Sequence, residues 1–202
     1  MEYLVTMTTR VPDGTSTDAV DEMRRREADR AQKLATAGNL LRLWRPPLQL
    51  GEWRTLGLFS AANAAALEDV LSSMPLRVWR TDTVVDLAGH ANDPGPANRT
   101  SATEALEFLT TFDVSPDIAQ DERDGEARRW RQLADEGHLI RLWTLPPPPT
   151  GSRALGLWRA RDADEMQTIL ESLPMIDRML VETTPLSQHP SDPALDHLTQ
   201  IE

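Results

Sequence analysis

The chain has 202 residues with 32 acidic against 21 basic side chains, a formal charge of −11, and no basic stripe of the kind that holds nucleic acid or an anionic membrane. Cysteine is absent, which removes disulfides, thiolate nucleophiles and zinc–thiolate sites together. No apolar run approaches the length of a membrane span and no basic-then-apolar leader opens the chain, so the expectation is a cytoplasmic protein.

Residues 2 to 9 alternate, with Tyr3, Val5 and Met7 on one face, the period-two pattern of a half-buried strand. A helix is predicted over 17 to 37, ending at Gly38, which suits a left-handed C-cap. Its inward stripe is Val20, Met23, Glu27, Ala31 and Leu34, in steps of three and four. Glu27 sits in mid-stripe, where a carboxylate must be desolvated, paired or facing a cavity. A second strand follows over 39 to 46, with Leu41, Leu43 and Arg45 on one side and Leu40, Arg42 and Trp44 on the other, closed by Pro46-Pro47. A third strand covers 54 to 60. Asn63 opens a second helix with the apolar face Leu67, Val70, Leu71 and Met74, and Pro75 stops it. A fourth strand over 78 to 85 leads into a short tail bearing His90, and the polar, Pro- and Gly-rich stretch from 91 to 101 reads as a linker.

The same order then recurs. Asn39-Leu40-Leu41-Arg42-Leu43-Trp44-Arg45 returns as His138-Leu139-Ile140-Arg141-Leu142-Trp143-Thr144, a spacing of 99 residues from Arg42 to Arg141. At that spacing Leu56-Gly57-Leu58-Phe59 returns as Leu155-Gly156-Leu157-Trp158, Glu27 as Glu126, Asn63 as Asp162, and His90 as His189. Glu165 is placed to complete a capping box with Asp162. The first strand returns at a spacing of 105 (Tyr3 to Phe108), so the loop after it is six residues shorter in the second copy. A domain-sized period signals duplication and not a solenoid. The modules are drawn as residues 1–92 and 104–202, joined by a linker at 93–103. Strand, helix, strand, strand, helix, strand is the split βαβ order of ferredoxin-like modules.

Met1-Glu2-Tyr3-Leu4-Val5-Thr6-Met7-Thr8-Thr9-Arg10-Val11-Pro12, then Leu43-Trp44-Arg45, then Met74-Pro75-Leu76, then a histidine after strand four, resemble muconolactone delta-isomerases through the whole of copy one. Copy two is similar from its first strand to His189-Pro190, whereas Ala91 follows His90 in copy one. The resemblance implies an α+β fold in which two ferredoxin-like modules form an intrachain dimeric α+β barrel, with further assembly of the tandem chain into a homo-oligomer. It also implies a cofactor-free allylic proton shift in a small unsaturated lactone such as muconolactone, with no metal.

That chemistry needs a desolvated carboxylate as base, cationic or hydrogen-bonding partners for the enolate oxygen and the substrate carboxylate, and exclusion of water. Glu27 and Glu126 are the candidate bases. The candidate substrate contacts are Arg42, Trp44, Arg45 and His90, and their counterparts Arg141, Trp143 and His189. Read plainly, the glutamates pair with strand arginines, the tryptophans are core, the tail histidines are solvated, and Arg24-Arg25-Arg26 is the wet side of helix one. Arg45 becomes Thr144 and Trp53 becomes Ser152, so copy one is expected to hold the more competent pocket. A related cyclase or dehalogenase, or a non-catalytic small-ligand-binding scaffold, would use the same residues.

Overall fold

The computed structural model describes residues 1–96 and 105–196; residues 97–103 of the expected linker and the last part of the C-terminal tail lie outside them. The chain divides into two compact units. One is Met1–Asp86 together with the segment from Ser187 onward, the other is Leu87–Leu186. The segment after the fourth strand of each sequence copy therefore belongs to the unit built from the other copy. No described helix is long and apolar enough to cross a membrane.

In the first unit, β1 (Glu2–Thr9) and β2 (Leu40–Arg45) flank β3 (Arg54–Ser60), both antiparallel to it. β4 (Arg80–Gly89) follows β1 in the strand order. α1 (Thr17–Thr36) and α2 (Ala64–Ser72) cover one face. Side chains alternating along β1 bury Tyr3, Val5, Met7 and Thr9 toward these helices, against Ala31 and Leu34 of α1 and Leu67 and Leu71 of α2. The helix ends follow local chemistry: Ser16 Oγ accepts from Ala19 N–H, Asn63 Oδ1 from Ala66 N–H, and Gly38 takes φ 75° just past α1.

Two local features depart from the sequence pattern. β2 carries a bulge between Leu40 and Arg42, so Leu40 joins Leu43 in the helix-facing core and does not lie on the face of Arg42 and Trp44. The chain after Pro75 forms a 3₁₀ turn (Pro75–Trp79), which delays β4 to Arg80. Both recur in the second unit, as a bulge between Leu139 and Arg141 and a turn at Ile176–Arg178.

The second unit repeats the plan with β5 (Leu106–Val114), α3 (Gln120–Asp135), β6 (Leu139–Thr144), β7 (Ser152–Ala160), α4 (Ala163–Glu171) and β8 (Met179–Gln188); α5 (Pro193–Asp196) lies in the C-terminal segment. β5 pairs antiparallel with β7 and β8, and β6 with β7. α3 is shorter than α1 because the shortened loop leaves Ala119 as its cap; Ala119 has no side-chain acceptor, and Glu122 reaches back to its N–H at 3.0 Å. Asp162 caps α4, but Glu165 bonds the N–H of Arg161, one residue short of the expected capping box. Gly57 and Gly156 are fixed by close approach: a Cβ would lie 2.4 Å from the Phe59 ring in one copy and 2.3 Å from Trp158 Nε1 in the other. The fold is thus α+β with antiparallel strands.

Candidate active site

Glu27 projects from the middle of α1 toward the 3₁₀ turn, as its place in the apolar stripe requires. Its Oε2 accepts the N–H of Leu76 at 2.8 Å, and its Oε1 accepts Arg80 Nη1 at 2.9 Å. Arg80, with 1% of its side chain exposed, is held in turn by Asp82, which accepts its Nε at 2.7 Å and its Nη2 at 3.2 Å. Asp82 also accepts Arg77 Nη1 at 2.6 Å. A fully buried guanidinium is tolerable only because carboxylates meet both of its edges. Burial pushes the Glu27 carboxyl above the usual carboxylate range, against the Leu76 N–H and the Arg80 charge, which pull it down.

The C-terminal segment is fastened to β2 by a second ion pair. Asp192, with none of its side chain exposed, accepts Arg42 Nε at 3.1 Å and Nη2 at 3.0 Å, and the N–H of Leu43 at 3.1 Å. Arg42 also lies 4.8 Å over the Trp44 ring. This clasp sets His189 beside Arg45. Burial first, and the Arg45 charge second, hold the His189 imidazole down to about 4, so it is neutral near pH 7. Its Nδ1 accepts the N–H of Ser191 at 3.1 Å, which leaves the proton on Nε2.

Between α1, β2 and the C-terminal segment lies a cavity of about 770 Å³. Its inner wall is apolar, including Met7, Ala31, Leu43 and Met74; Glu27 and Arg80 lie among these residues, and Arg24, Arg45, Glu52, Trp53 and His189 complete the lining. Arg24 lies on the exposed side of α1, as expected, and also stacks 4.8 Å over Trp53. Arg42 and Trp44 do not line it: strand alternation past the bulge sends 42 and 44 to the opposite face from 43 and 45. Glu27 is paired with Arg80 and not with Arg42, and Arg42 holds the tail.

Copy two keeps the outline and changes the contents. Glu126 Oε2 still accepts a turn N–H, from Met175 at 2.9 Å, and burial raises its carboxyl as well. The positions of Arg77, Arg80 and Asp82 are Ile176, Met179 and Val181, so no arginine reaches Glu126 in the described residues. Ala31 is replaced by Trp130, 3% exposed, whose Nε1 donates to Glu126 Oε1. Trp130 packs on Phe112 at 5.3 Å, Trp158 at 5.5 Å and His90 at 6.0 Å between ring centres, filling the space that copy one leaves open. His90 is therefore a stacking partner, with Arg141 and Asp93 repeating the clasp at 3.1 Å and Trp143 the stack on Arg141 at 4.8 Å.

Arg80 and Asp82 are the residues that single-copy reading passes over. The signal was available in the comparison of copies, since a charged pair and its apolar replacements occur at matching positions.

The chain is thus an α+β, antiparallel protein with a desolvated carboxylate, Glu27, facing a cavity. The family profile of muconolactone delta-isomerase matches residues 1–93 and 106–192, and the chain belongs to that family. It is 28% identical over 90 residues to muconolactone delta-isomerase 1 of Acinetobacter lwoffii, a stretch covering 45% of this chain and 91% of that one. A crystal structure of muconolactone isomerase is 25% identical, with 47% and 96% of the two chains covered and a TM-score of 0.42. A mutant chlorite dismutase from Candidatus Nitrospira defluvii shares the fold at a TM-score of 0.58, 11% identity and coverage of 98% and 96%.

Proposed function

We propose that the chain is a cofactor-free isomerase that moves an allylic proton in an unsaturated lactone, using Glu27 as the base. The observation that carries this reading is a cavity-lining carboxylate whose affinity for a proton is raised by burial while an arginine and a backbone N–H fix its orientation. Glu27 takes the C4 proton, and the C4–H electron pair moves through the ring to the carbonyl oxygen as a dienolate. Neutral His189, donating from Nε2, and Arg45 meet the oxygen and the substrate carboxylate. The protonated Glu27 then delivers the same hydrogen to C2, which completes the double-bond shift and restores the base.

Arg80 acts as a positioning residue, holding Glu27 and limiting how far burial raises its affinity for a proton. Glu126 belongs to the fold: its bond to the turn N–H accounts for its retention in copy two without catalysis. The reading also includes the ferredoxin-like, intrachain dimeric α+β barrel, the modules at 1–92 and 104–202, and the homo-oligomer that the family implies.

The test is muconolactone in D₂O, followed by proton NMR. Loss of the C4 proton signal with double-bond migration and protium carried to C2, abolished in Glu27→Gln and retained in Glu126→Gln, is expected. Turnover untouched by Glu27→Gln would overturn it.

A further inference from the structure

The cavity of copy one is larger than a one-ring lactone acid requires. At about 770 Å³ it falls within the roughly 300–1,000 Å³ of sites that enclose drug-sized ligands. It would hold about 25 waters at about 30 Å³ each, more than twice the non-hydrogen atoms of such a lactone. The surplus has a definite origin. Ala31, on the inner wall, stands where copy two has Trp130, and Trp130 fills the equivalent space completely enough to be 3% exposed. Trp130, packed on Phe112 and Trp158, takes up space that Ala31, Met7 and Phe59 leave open in copy one. Of these replacements Ala31 to Trp130 adds the most volume.

The lining is also sorted. Met7, Ala31, Leu43 and Met74 give apolar depth, while exposed Arg24 and Arg45 stand farther out. Arg24 is engaged by Asp21 and Trp53; Arg45 has no ion pair among the described residues. Arg45 is Thr144 in copy two, where the chamber is filled, so the free cation and the open chamber go together.

We propose that this cavity takes a carboxylate-bearing substrate with at least two fused or linked rings, its apolar rings against Ala31 and Met74 and its anion at Arg45. The substrate class refines the isomerase reading of the same site, and is tested by binding alone so that the two can fail separately. The probes are 1-naphthylacetate, phenylacetate, which lacks one ring, and 1-naphthylacetamide, which lacks the charge. They are titrated calorimetrically against the full chain.

Naphthylacetate should bind at least about tenfold tighter than phenylacetate, the increment of one further buried ring. Ala31→Trp, the residue of copy two, should abolish that preference, and Ala31→Leu should reduce it in proportion. Arg45→Thr should weaken the acid about tenfold and leave the amide unchanged. Glu27→Gln should bind all three, so a loss of turnover in that variant concerns the base and not the chamber. Equal affinities for the two acids, no binding of either, or a preference that survives in a folded Ala31→Trp protein would overturn the proposal.

Discussion

Arg80 donates to Glu27 at 2.9 Å, and the equivalent of Arg80 beside Glu126 is Met179. Two carboxylates at matching positions, both raised by burial, are thus set apart by one cation. A base must be ionised to accept a proton, so kcat/KM should rise with pH through the Glu27 pKa, on an acid limb above the usual carboxylate range. Arg80 lowers that pKa, so Arg80→Met should move the limb to higher pH and reduce the plateau. Arg77 still neutralises Asp82 in that variant; the triple change to the copy-two residues, Arg77→Ile, Arg80→Met and Asp82→Val, controls for orphaned charge. A limb that stays in place would mean that Arg80 does not tune Glu27.

Glu27→Gln should cost roughly 10²–10⁴ in kcat, the usual contribution of a positioned base, whereas Glu126→Gln should retain turnover. The unequal loss is measured on the two variants side by side.

Glu126 has a stability signature of its own. Its folded pKa lies above the unfolded value of about 4.3, so between those pH values the folded state binds more protons and stability falls as pH rises. The Tm of Glu126→Gln minus that of the wild type should therefore increase as pH climbs from about 4, then level off. A flat difference across that window would remove the raised carboxyl.

Asp192→Ala leaves Arg42 without its buried partner, a change that costs about 3–5 kcal/mol when a buried pair is broken, here borne mainly by the C-terminal segment. His189 would leave the cavity with it. Asp192→Ala and His189→Gln should each lower kcat/KM, and the double variant should be no worse than the poorer single, since they act on one contact. Because His189 titrates near 4, His189→Gln should leave the Glu27 limb where it is.

Trp130→Ala should destabilise the second unit by about 3–5 kcal/mol, the loss typical of a buried aromatic. The space it vacates has the outline of indole and a carboxylate acceptor at Glu126, so added indole should restore part of the Tm in a concentration-dependent way.

The repeat, the strand–helix order and most helix ends were legible because period and capping are local properties. Ser16 carries no distinct signal among its polar neighbours, while Asn63, Asp162 and Gly38 do. Glu27 was legible as a charge misplaced in an apolar stripe, and Arg45 and Trp53 as residues that differ between copies near one mouth. The bulge at Leu41 was not, since alternation through Leu40 to Arg45 is equally good without it, and it is what brings Leu40 onto the face of Leu43. Nor was the partner of Glu27, which lies 53 residues away on β4, beyond any helix or strand period. The assignment of the C-terminal segment to the first unit depends on Arg42 meeting Asp192 across 150 residues.

That last pairing ties the two sequence halves together. The chamber of the amino-terminal half receives its imidazole from the carboxy-terminal half, so an amino-terminal half expressed alone would lack His189 from its wall. The exchange is mutual in outline, since His90 of the amino-terminal half stacks on Trp130 in the second unit, but there the imidazole meets an indole and not a chamber.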